Sequence, residues 1–378
     1  MYLRRNDDEQ LLVDSVRGVL SRYGEQVQKA LWGTDWNRDA YRRLGDLGML
    51  EPAALDKDRT ADPRMAVQIA EELGRGGAIL PLFSSIGWVA SLLGLLDPAH
   101  ERLPDLLTGK QIACLAAAEG GTAQAGFFQP TTAVEIAGDR ARVRGHKRFV
   151  PFLASADLVV VTASRGADLV LVAVPGEQLA SAGRVMSSVT GDLLGDVDID
   201  VEVASSDVLA SGSVATSALR RTWAHVLLLQ AAYLLGGADR AVQLTADHVK
   251  VREQFGQPIG AFQAVQHHVA DSEVAVRSAR LMVGEQAWRH CLDDTLLLPR
   301  AAETKAWIAE KTQEVARRAH ELQGGLGAVD VHETSRLFLR NLAVAVEDGG
   351  PPELWAMAAE LRHVPPSIEV LNRAGVSR

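Results

Sequence analysis

Two acidic residues near the end of the chain have the type and setting of general bases. Glu347 and Asp348 follow an apolar run at residues 342–346 and precede a breaker cluster at residues 349–352. A carboxylate beside an apolar wall has a raised pKa, which suits it to general-base catalysis. A helix that ends in solvated acids produces the same pattern, and these residues alone favour that second interpretation.

A second candidate site combines residue types that bind phosphate and aromatic rings. Arg252 and Phe255 lie in residues 252–259 (REQFGQPI), where one helical pattern stops and another starts. Arginine offers a rigid charged fork to phosphate, and an aromatic side chain can lie against a ring; a surface charge beside a core residue is the alternative. Residues 324–327 (GGLG) follow a helical pattern rather than a strand, which argues against a Rossmann fingerprint. Such glycines end a helix and can let a phosphate approach the backbone.

The elements that position these residues follow from hydrophobic periodicity. The 378 residues suffice for two or three packed units. Apolar residues recur at helical spacing up to about residue 113, then at every second position to about residue 209, where residues 133–144 predict a hairpin with a glycine turn. Long helical patterns return from residue 216. The sequence therefore predicts helices, then a small antiparallel sheet or barrel, then a helical bundle.

Composition and charge exclude several classes of protein. The 39 basic and 48 acidic residues give a net charge of −9, which argues against a general nucleic-acid binder. Cys114 and Cys291 are too few for a disulfide framework or a cysteine zinc site. His267 and His268 point about 100° apart on a helix, so a metal site is not expected. The acidic start of the sequence has no apolar segment, so a signal peptide is not expected, and the longest apolar run, residues 226–237, is too short for a membrane span. A cytoplasmic protein is expected.

Taken together, the motifs resemble the acyl-CoA dehydrogenase family over nearly the whole chain. Residues 252–259, followed by Phe262 and Gln263, are similar to the family's signature at the start of a long helix. Residues 71–75 (EELGR), 145–150 (GHKRFV) and 324–327 occur in the family's order. The resemblance implies an α+β, mainly α fold with three domains: an N-terminal helical domain (1–113), a middle β-barrel (114–209) and a C-terminal four-helix bundle (210–378).

The resemblance also implies a cofactor and a reaction. FAD would lie between the middle and C-terminal domains, with its adenosine diphosphate half reaching a neighbouring subunit. A carboxylate would remove the α-proton of an acyl-CoA thioester while the β-hydride passes to the flavin, an arrangement that needs a positioned base. The implied catalytic candidates are Asp348 and Glu347. The implied cofactor contacts are Arg252, Phe255, Ile259, Phe262, Gln263, Phe149, Glu321, Gln323, Gly324 and Gly325.

The position of the base departs from the family pattern. Counting from Gly327, the family's catalytic glutamate falls on Asp348, which is one methylene shorter and loses about 1.5 Å of reach; a misplacement of about 1 Å can cost roughly 10²-fold in rate. Glu347 is adjacent but points elsewhere unless the turn shifts by a residue. Some members place the glutamate on the preceding helix, where this chain has Val226 beside His225. That second position offers no carboxylate.

The flavin positions depart from the family as well. Hydroxyl donors of the β-module are replaced at three positions, namely Ala118, Gln124 and Pro151. Phe149 keeps an aromatic side chain beside the expected flavin ring. Glu321 stands where the family has a glutamine, and its charge would repel a diphosphate. Either Gln323 takes over those contacts or Glu321 points away.

Three functional interpretations remain open. The leading one is a subunit of a heteromeric (α2β2) acyl-CoA dehydrogenase, of the kind found in steroid or related acyl-CoA catabolism, that mainly completes a partner's flavin site. The second is a self-sufficient FAD-dependent acyl-thioester dehydrogenase, a homotetramer that uses Asp348 or Glu347. The third is a non-catalytic, flavin-free scaffold. A dimer of dimers is expected, with residues 224–232 and 354–361 supplying apolar surface.

Overall fold

The computed structural model describes residues 6–23, 36–57, 62–180, 182–292, 296–329 and 332–363. Helices come first, strands follow, and long helices complete the chain, as the periodicity predicts. The helices of the first part are α1 (Asp7–Arg22), α2 (Arg38–Asp46), α3 (Pro63–Arg75), α4 (Ser91–Leu96) and α5 (Leu103–Leu107), with a 3-10 turn at Glu51–Ala53 and a π-helical segment at Leu82–Ala90.

Local signals set the ends of these helices. α1 begins with a capping box, in which Asn6 Oδ1 accepts from the Glu9 amide at 2.8 Å and Glu9 Oε2 accepts from the Asn6 amide at 2.9 Å. α3 begins at Pro63 behind the N-cap Asp62 and ends at Arg75. Gly77 then turns the chain with a φ of +60°. This end of α3 lies where the sequence predicts a stop at glycine.

The strands form one sheet that is mostly antiparallel. They are β1 (Ala113–Ala116), β2 (Ala133–Ala137), β3 (Arg140–Pro151), β4 (Leu158–Arg165), β5 (Asp168–Pro175), β6 (Gly183–Ser187), β7 (Leu193–Ala204) and β8 (Val208–Ser211), with short helices α6 (Ala123–Phe128) and α7 (Gly176–Ala180) between them. The order is β6-β7-β3-β2-β4-β5-β8, and β1 lies parallel to β4. The β2–β3 hairpin, with Ala133 opposite Arg144 and Gly138 at a φ of +61°, confirms the predicted hairpin.

Long helices complete the chain and enclose one central member. They are α8 (Gly212–Val251), α9 (Gln263–His290), α10 (Leu297–Leu322), α11 (Glu333–Val346) and α12 (Pro351–His363), and strands β9 (Glu253–Gln254) and β10 (Gln257–Pro258) link α8 to α9. α8 packs against α3, α9, α10 and α11. Residues 224–232 are therefore buried inside the chain, and Leu354 is buried as well. The expectation that these segments supply apolar surface is wrong in those positions.

Helices α3 and α8 touch backbone to backbone. A Cβ atom on Gly74 would lie 1.9 Å from the carbonyl oxygen of Tyr233, and one on Gly236 would lie 1.8 Å from that of Glu71. Only glycine permits such an approach, because every other residue carries a Cβ. The contact fixes the height of α8 against the first helices, and Tyr233 thereby reaches the cavity described below. Within the described ranges, no helix combines the length and apolarity needed to cross a membrane.

Candidate active site

A cavity of about 680 Å³ opens where the first helices, the sheet and the connection between α11 and α12 meet. Much of its wall is apolar, from residues Leu73, Leu80, Phe83, Trp88, Leu342 and Val346. Both predicted bases, Glu347 and Asp348, line it, and so does Phe149. An apolar cavity with a few converging polar groups is the usual form of a small-molecule site.

The two carboxylates lie in a tight turn after α11. Glu347 is extended at the end of the helix, and Asp348 is left-handed with a φ of +55°. The left-handed region is uncommon outside glycine, although aspartate tolerates it better than most residues. The following Gly349 has a φ of +119°, which only glycine adopts readily. The breaker cluster in the sequence therefore shapes the turn that brings both acids to the cavity.

Asp348 is held by three side chains from two distant helical segments, the π-helical segment and α8. Its Oδ2 accepts from Trp88 Nε1 at 3.1 Å and from Gln230 Nε2 at 2.7 Å. Its backbone carbonyl accepts from Trp223 Nε1 at 3.1 Å. Oδ1 receives no hydrogen bond from any residue that the structure describes. Burial raises the pKa of Asp348, while Lys305 and the two donors oppose that rise. One carboxylate oxygen is therefore oriented and the other is available to a ligand.

Glu347 differs from its neighbour in having no hydrogen-bond donor within the described residues. Burial, and then the charge of Asp348, raise the pKa of Glu347 to about 8. Lys305 donates to the carbonyl oxygens of Glu347 and Gly349, the latter at 3.2 Å. Burial lowers the pKa of Lys305. The turn thus places two carboxyl groups close to one buried lysine.

Sequence reasoning missed the side chains that hold this turn. Trp88 and Asp348 are 260 positions apart, so no local pattern connects them. Gln230 gave a partial signal as the polar residue that interrupts the apolar run of α8. Lys305 gave a clearer one, since it falls on the buried stripe of α10 with Ala301 and Ile308, where a lysine requires a partner.

The predicted cofactor residues of the C-terminal helices lie away from the cavity lining. Arg252 is exposed beside the β9–β10 hairpin, and Phe255 is 94% exposed with its ring edge-on to Phe262 at 6.1 Å. A Cβ on Gly324 or Gly325 would meet no atom within 4 Å. We call Arg252, Phe255, Gly324 and Gly325 the exposed set. A cation, an aromatic face and an accessible glycine turn fit the phosphates and base of an adenosine diphosphate group.

The remaining C-terminal candidates divide between surface and packing. Glu321 is exposed and pairs with Arg317 at 2.6 Å. Gln323 is buried, and its amide donates to the Leu244 carbonyl at 3.3 Å, which ties the glycine turn to α8. Its amide nitrogen is therefore committed to the fold. Two further candidates lie at the start of α9, where Ile259 is half-buried and Gln263 is exposed.

The sheet side of the cavity is occupied by contacts within the chain. Phe149 has a φ of +53° and is 51% exposed, and the Arg148 guanidinium lies over its ring at 4.9 Å. The backbone amide of Gln124 donates to Glu353 Oε1 at 3.2 Å. These are the places where relatives are expected to present an aromatic face and hydroxyl donors. Here a guanidinium covers the aromatic ring, and a carboxylate lies where the hydroxyl donors are expected.

A buried ion pair supports the same wall from within the sheet. Lys147 is fully buried, and its Nζ donates to Glu119 Oε1 at 2.7 Å and to Thr162 Oγ1 at 3.0 Å. Burial favours the neutral acid, but hydrogen bonds from Lys147 and Thr131 outweigh it and hold the pKa of Glu119 at about 2. Burial lowers the pKa of Lys147 to about 8. Glu119 is therefore ionised and committed to Lys147.

Val226, the alternative position for a base, is fully buried against Gly87, where a Cβ would lie 3.1 Å from its methyl group. It is absent from the cavity lining formed by the described residues. In the part of the chain that the structure describes, no group of three or more potential ligands could hold a metal ion. The fold and the acid-bearing cavity thus fit the class of protein that the sequence resembles, the acyl-CoA dehydrogenases.

Comparisons with known proteins agree with that class. The family model for the C-terminal domain of acyl-CoA dehydrogenase matches residues 217–354. The chain is 28% identical over 375 residues to acyl-CoA dehydrogenase FadE27 of Mycobacterium tuberculosis, a match that covers 94% of this chain and 96% of that protein. Both comparisons support the acyl-CoA dehydrogenase family, and one solved neighbour, a glutaryl-CoA dehydrogenase from Mycobacterium smegmatis, is in complex with FADH2.

Solved structures confirm the predicted fold class. A variant of the Tcur3481-Tcur3483 steroid ACAD has a TM-score of 0.83 at 24% identity, covering 94% of this chain and 98% of that one. The ChsE4-ChsE5 complex from Mycobacterium tuberculosis has a TM-score of 0.82 at 21% identity, and the match covers 97% of this chain and 100% of that one. The helical, sheet and helical parts therefore occur together in both.

Proposed function

We propose that the chain is one subunit of a heteromeric, α2β2 acyl-CoA dehydrogenase that desaturates a CoA thioester with FAD. In this proposal the chain holds the adenosine diphosphate half of a flavin whose ring lies in a homologous partner. The main support for this proposal is that the predicted cofactor residues lie in two separate places. The exposed set lies on the surface, outside the cavity lining, whereas Phe149 lines the cavity.

The exposed set suits a ligand that a second chain presents. An aromatic side chain that is 94% exposed, such as Phe255, gains apolar contact only when another surface covers it. Arg252 is exposed nearby in sequence and supplies charge for a phosphate. Gly325 leaves open space that the packing of this chain does not use. All three features are explained together by a flavin that crosses a subunit interface.

The cavity of this chain is less suited to a flavin ring of its own. The guanidinium of Arg148 covers Phe149, and Glu353 accepts from the backbone amide of Gln124, so an aromatic face and a backbone donor that could contact a ring are already committed. The carboxylate of Glu353 also places negative charge near a cofactor that carries a diphosphate. This arrangement favours a chain that completes a partner's site over one that holds the ring.

The names of similar proteins support the substrate class and the assembly. One solved relative is named as a steroid ACAD, and another is the ChsE4-ChsE5 complex. We therefore propose a CoA thioester with a steroid-type or related bulky acyl group, and a homologous second subunit. The volume of the cavity, about 680 Å³, lies in the range of pockets that enclose a whole small molecule.

A second candidate function, proton abstraction by this chain itself, is favoured by the geometry of Asp348. FAD, when bound, accepts the hydride that leaves the β-carbon. Trp88 and Gln230 fix Oδ2 of Asp348, which leaves Oδ1 to take the α-proton of a thioester in the cavity. The apolar wall excludes water and keeps the carboxylate basic. Glu347, with its pKa raised to about 8, is the adjacent alternative.

Flavin content of the complex tests the first function. We expect about one FAD for each pair of unlike chains, and Arg252→Ala should lower occupancy tenfold or more, because a charged hydrogen bond to phosphate contributes about 1.5–3 kcal/mol. Arg277→Ala is the matched control, since Arg277 is an exposed arginine of α9 that pairs with Glu273. Two tightly bound FAD molecules per pair, or full occupancy in the Arg252 variant, would contradict the proposal.

The variant Asp348→Asn separates the two functions. If this chain supplies the base, turnover is abolished while flavin content is unchanged, since only the proton acceptor is lost. If the partner supplies it, the variant complex retains full activity. Asp271→Asn, which alters an exposed carboxylate of α9, is the control. A yellow, active homotetramer would instead support the self-sufficient enzyme, and a chain that never gains flavin with any partner would support the scaffold.

A further inference from the structure

A fully buried lysine lies under the turn that carries the two carboxylates. Lys305 projects from the buried stripe of α10, and its ammonium donates to the carbonyl oxygens of Glu347 and Gly349. Burying an ammonium group is unfavourable unless it is hydrogen-bonded and paired. Both of its bonds go to a single turn of the backbone, so this turn is what the lysine stabilises.

Three successive carbonyl groups of the turn receive donors from buried side chains. Lys305 serves the two outer ones, and Trp223, which is also fully buried, donates to the carbonyl of Asp348 at 3.1 Å. Trp88 and Gln230 then orient the Asp348 carboxylate. A left-handed aspartate persists only where its surroundings over-determine it. These five contacts, of which Lys305 makes two, supply that constraint.

The charges around the turn are mainly acidic. They come from each element packed against it: Glu347 and Asp348 in the turn, Glu353 on α12, Asp192 before β7 and Arg340 on α11. Arg340 is committed to Asp192, at 2.6 Å. Among the described residues that face the turn, Lys305 is therefore the cation whose charge acts on Asp348.

We propose that Lys305 is a positioning residue for this turn: it fixes the conformation of Asp348 through the two flanking carbonyls and keeps the Asp348 carboxylate ionised. It acts through Asp348 and the backbone and touches no substrate. The link from Lys305 to catalysis rests on the second proposed function, in which Asp348 is the base. The control of conformation and charge at Asp348 holds whichever chain supplies the base.

Tryptophan fluorescence reads the ionisation of Asp348 without catalysis, because Trp88 donates to its carboxylate. The difference between the full wild-type chain and Asp348→Asn, followed across pH, gives the midpoint of that ionisation. In Lys305→Met the midpoint should rise by about one pH unit or more, since the charge of Lys305 opposes the rise that burial causes in the pKa of Asp348, and a nearby opposite charge typically lowers a carboxylate pKa by about 1–3. Lys147→Met is the control, because it removes another fully buried lysine that pairs with Glu119, and it should leave the midpoint unchanged.

Each further outcome decides the proposal. An unchanged midpoint in Lys305→Met overturns it, and so does a wild-type midpoint above about pH 7, where a carboxylate would no longer be kept ionised. Lys305→Gln keeps a donor without the charge, and its midpoint should also rise, so it replaces the methionine variant if that one fails to fold. In an active complex, the acid limb of kcat should move with the midpoint while KM stays constant. Full activity in Asp348→Asn combined with a shifted midpoint would refute the base function and still support the role of Lys305.

Discussion

Gly325→Ala distinguishes a glycine turn that faces a cofactor from one that only ends a helix. A Cβ at Gly325 meets no atom within 4 Å, and the position does not have a positive φ, so the folded chain accommodates the methyl group. The free energy of unfolding should rise by about 0.4–1 kcal/mol, because alanine restricts the unfolded chain. If a phosphate of FAD approaches this backbone, the methyl group disrupts a charge-assisted hydrogen bond of about 1.5–3 kcal/mol, and flavin affinity falls roughly ten- to hundredfold.

Two other glycines separate folding from binding in this experiment. Gly18→Ala, in α1, also meets open space, so it should raise the free energy of unfolding by about 1 kcal/mol and leave flavin unchanged. Gly327→Ala places a Cβ 2.3 Å from the carbonyl oxygen of His320 and should destabilise the chain. Denaturant unfolding gives the free energies, and flavin absorbance of the purified complex gives occupancy. Full occupancy in a stable Gly325→Ala complex would refute a cofactor at this turn.

Two further predictions concern the buried framework. Glu119→Gln leaves the Lys147 ammonium buried without its counterion and should lower the free energy of unfolding, measured in urea, by about 3 kcal/mol. Because the pKa of Glu119 is about 2 in the folded chain and ordinarily 4.5, its contribution to stability is complete above about pH 4.5 and disappears as the pH falls towards 2. The difference in unfolding free energy between wild type and variant should therefore narrow on acidification. Gly236→Ala places a Cβ 1.8 Å from the Glu71 carbonyl oxygen, so it should lower the free energy of unfolding by about 3 kcal/mol or more. A thermal unfolding midpoint equal to that of the wild type would contradict the packing of α3 on α8.

Local sequence patterns predicted the secondary-structure elements better than they predicted how those elements pack. The β2–β3 hairpin and the end of α3 followed from period-two alternation and from glycine, both of which act over a few residues. The apolar run of α8 was read as surface for another subunit, whereas it is buried within the chain. Hydrophobicity measures the tendency to leave water and does not say which partner provides the cover. The position of α8 among four other helices is a tertiary property that no window of sequence contains.

Sequence reasoning could indicate site residues that lie together in one segment of the chain. It could not indicate contacts between segments that are far apart in sequence. Spacing from Gly327 indicated Asp348, with Glu347 beside it, and both residues line the cavity. The donors that orient Asp348, Trp88 and Gln230, come from segments 260 and 118 residues away in sequence. The balance between burial and those donors decides the pKa of the carboxylate, so its strength as a base could not be read from the turn alone.

A flavin shared between two chains links cofactor binding to assembly. Whatever free energy Arg252 contributes to FAD binding across an interface, it contributes equally to the association of the chains when FAD is present, because the coupling is reciprocal. For one phosphate contact of about 1.5–3 kcal/mol, FAD would tighten association roughly ten- to hundredfold. A site contained within one chain would give no such coupling. Arg252 and Phe255 are exposed and lie outside the cavity lining. In the proposed assembly they would therefore contribute to binding only when a partner and a flavin are both present.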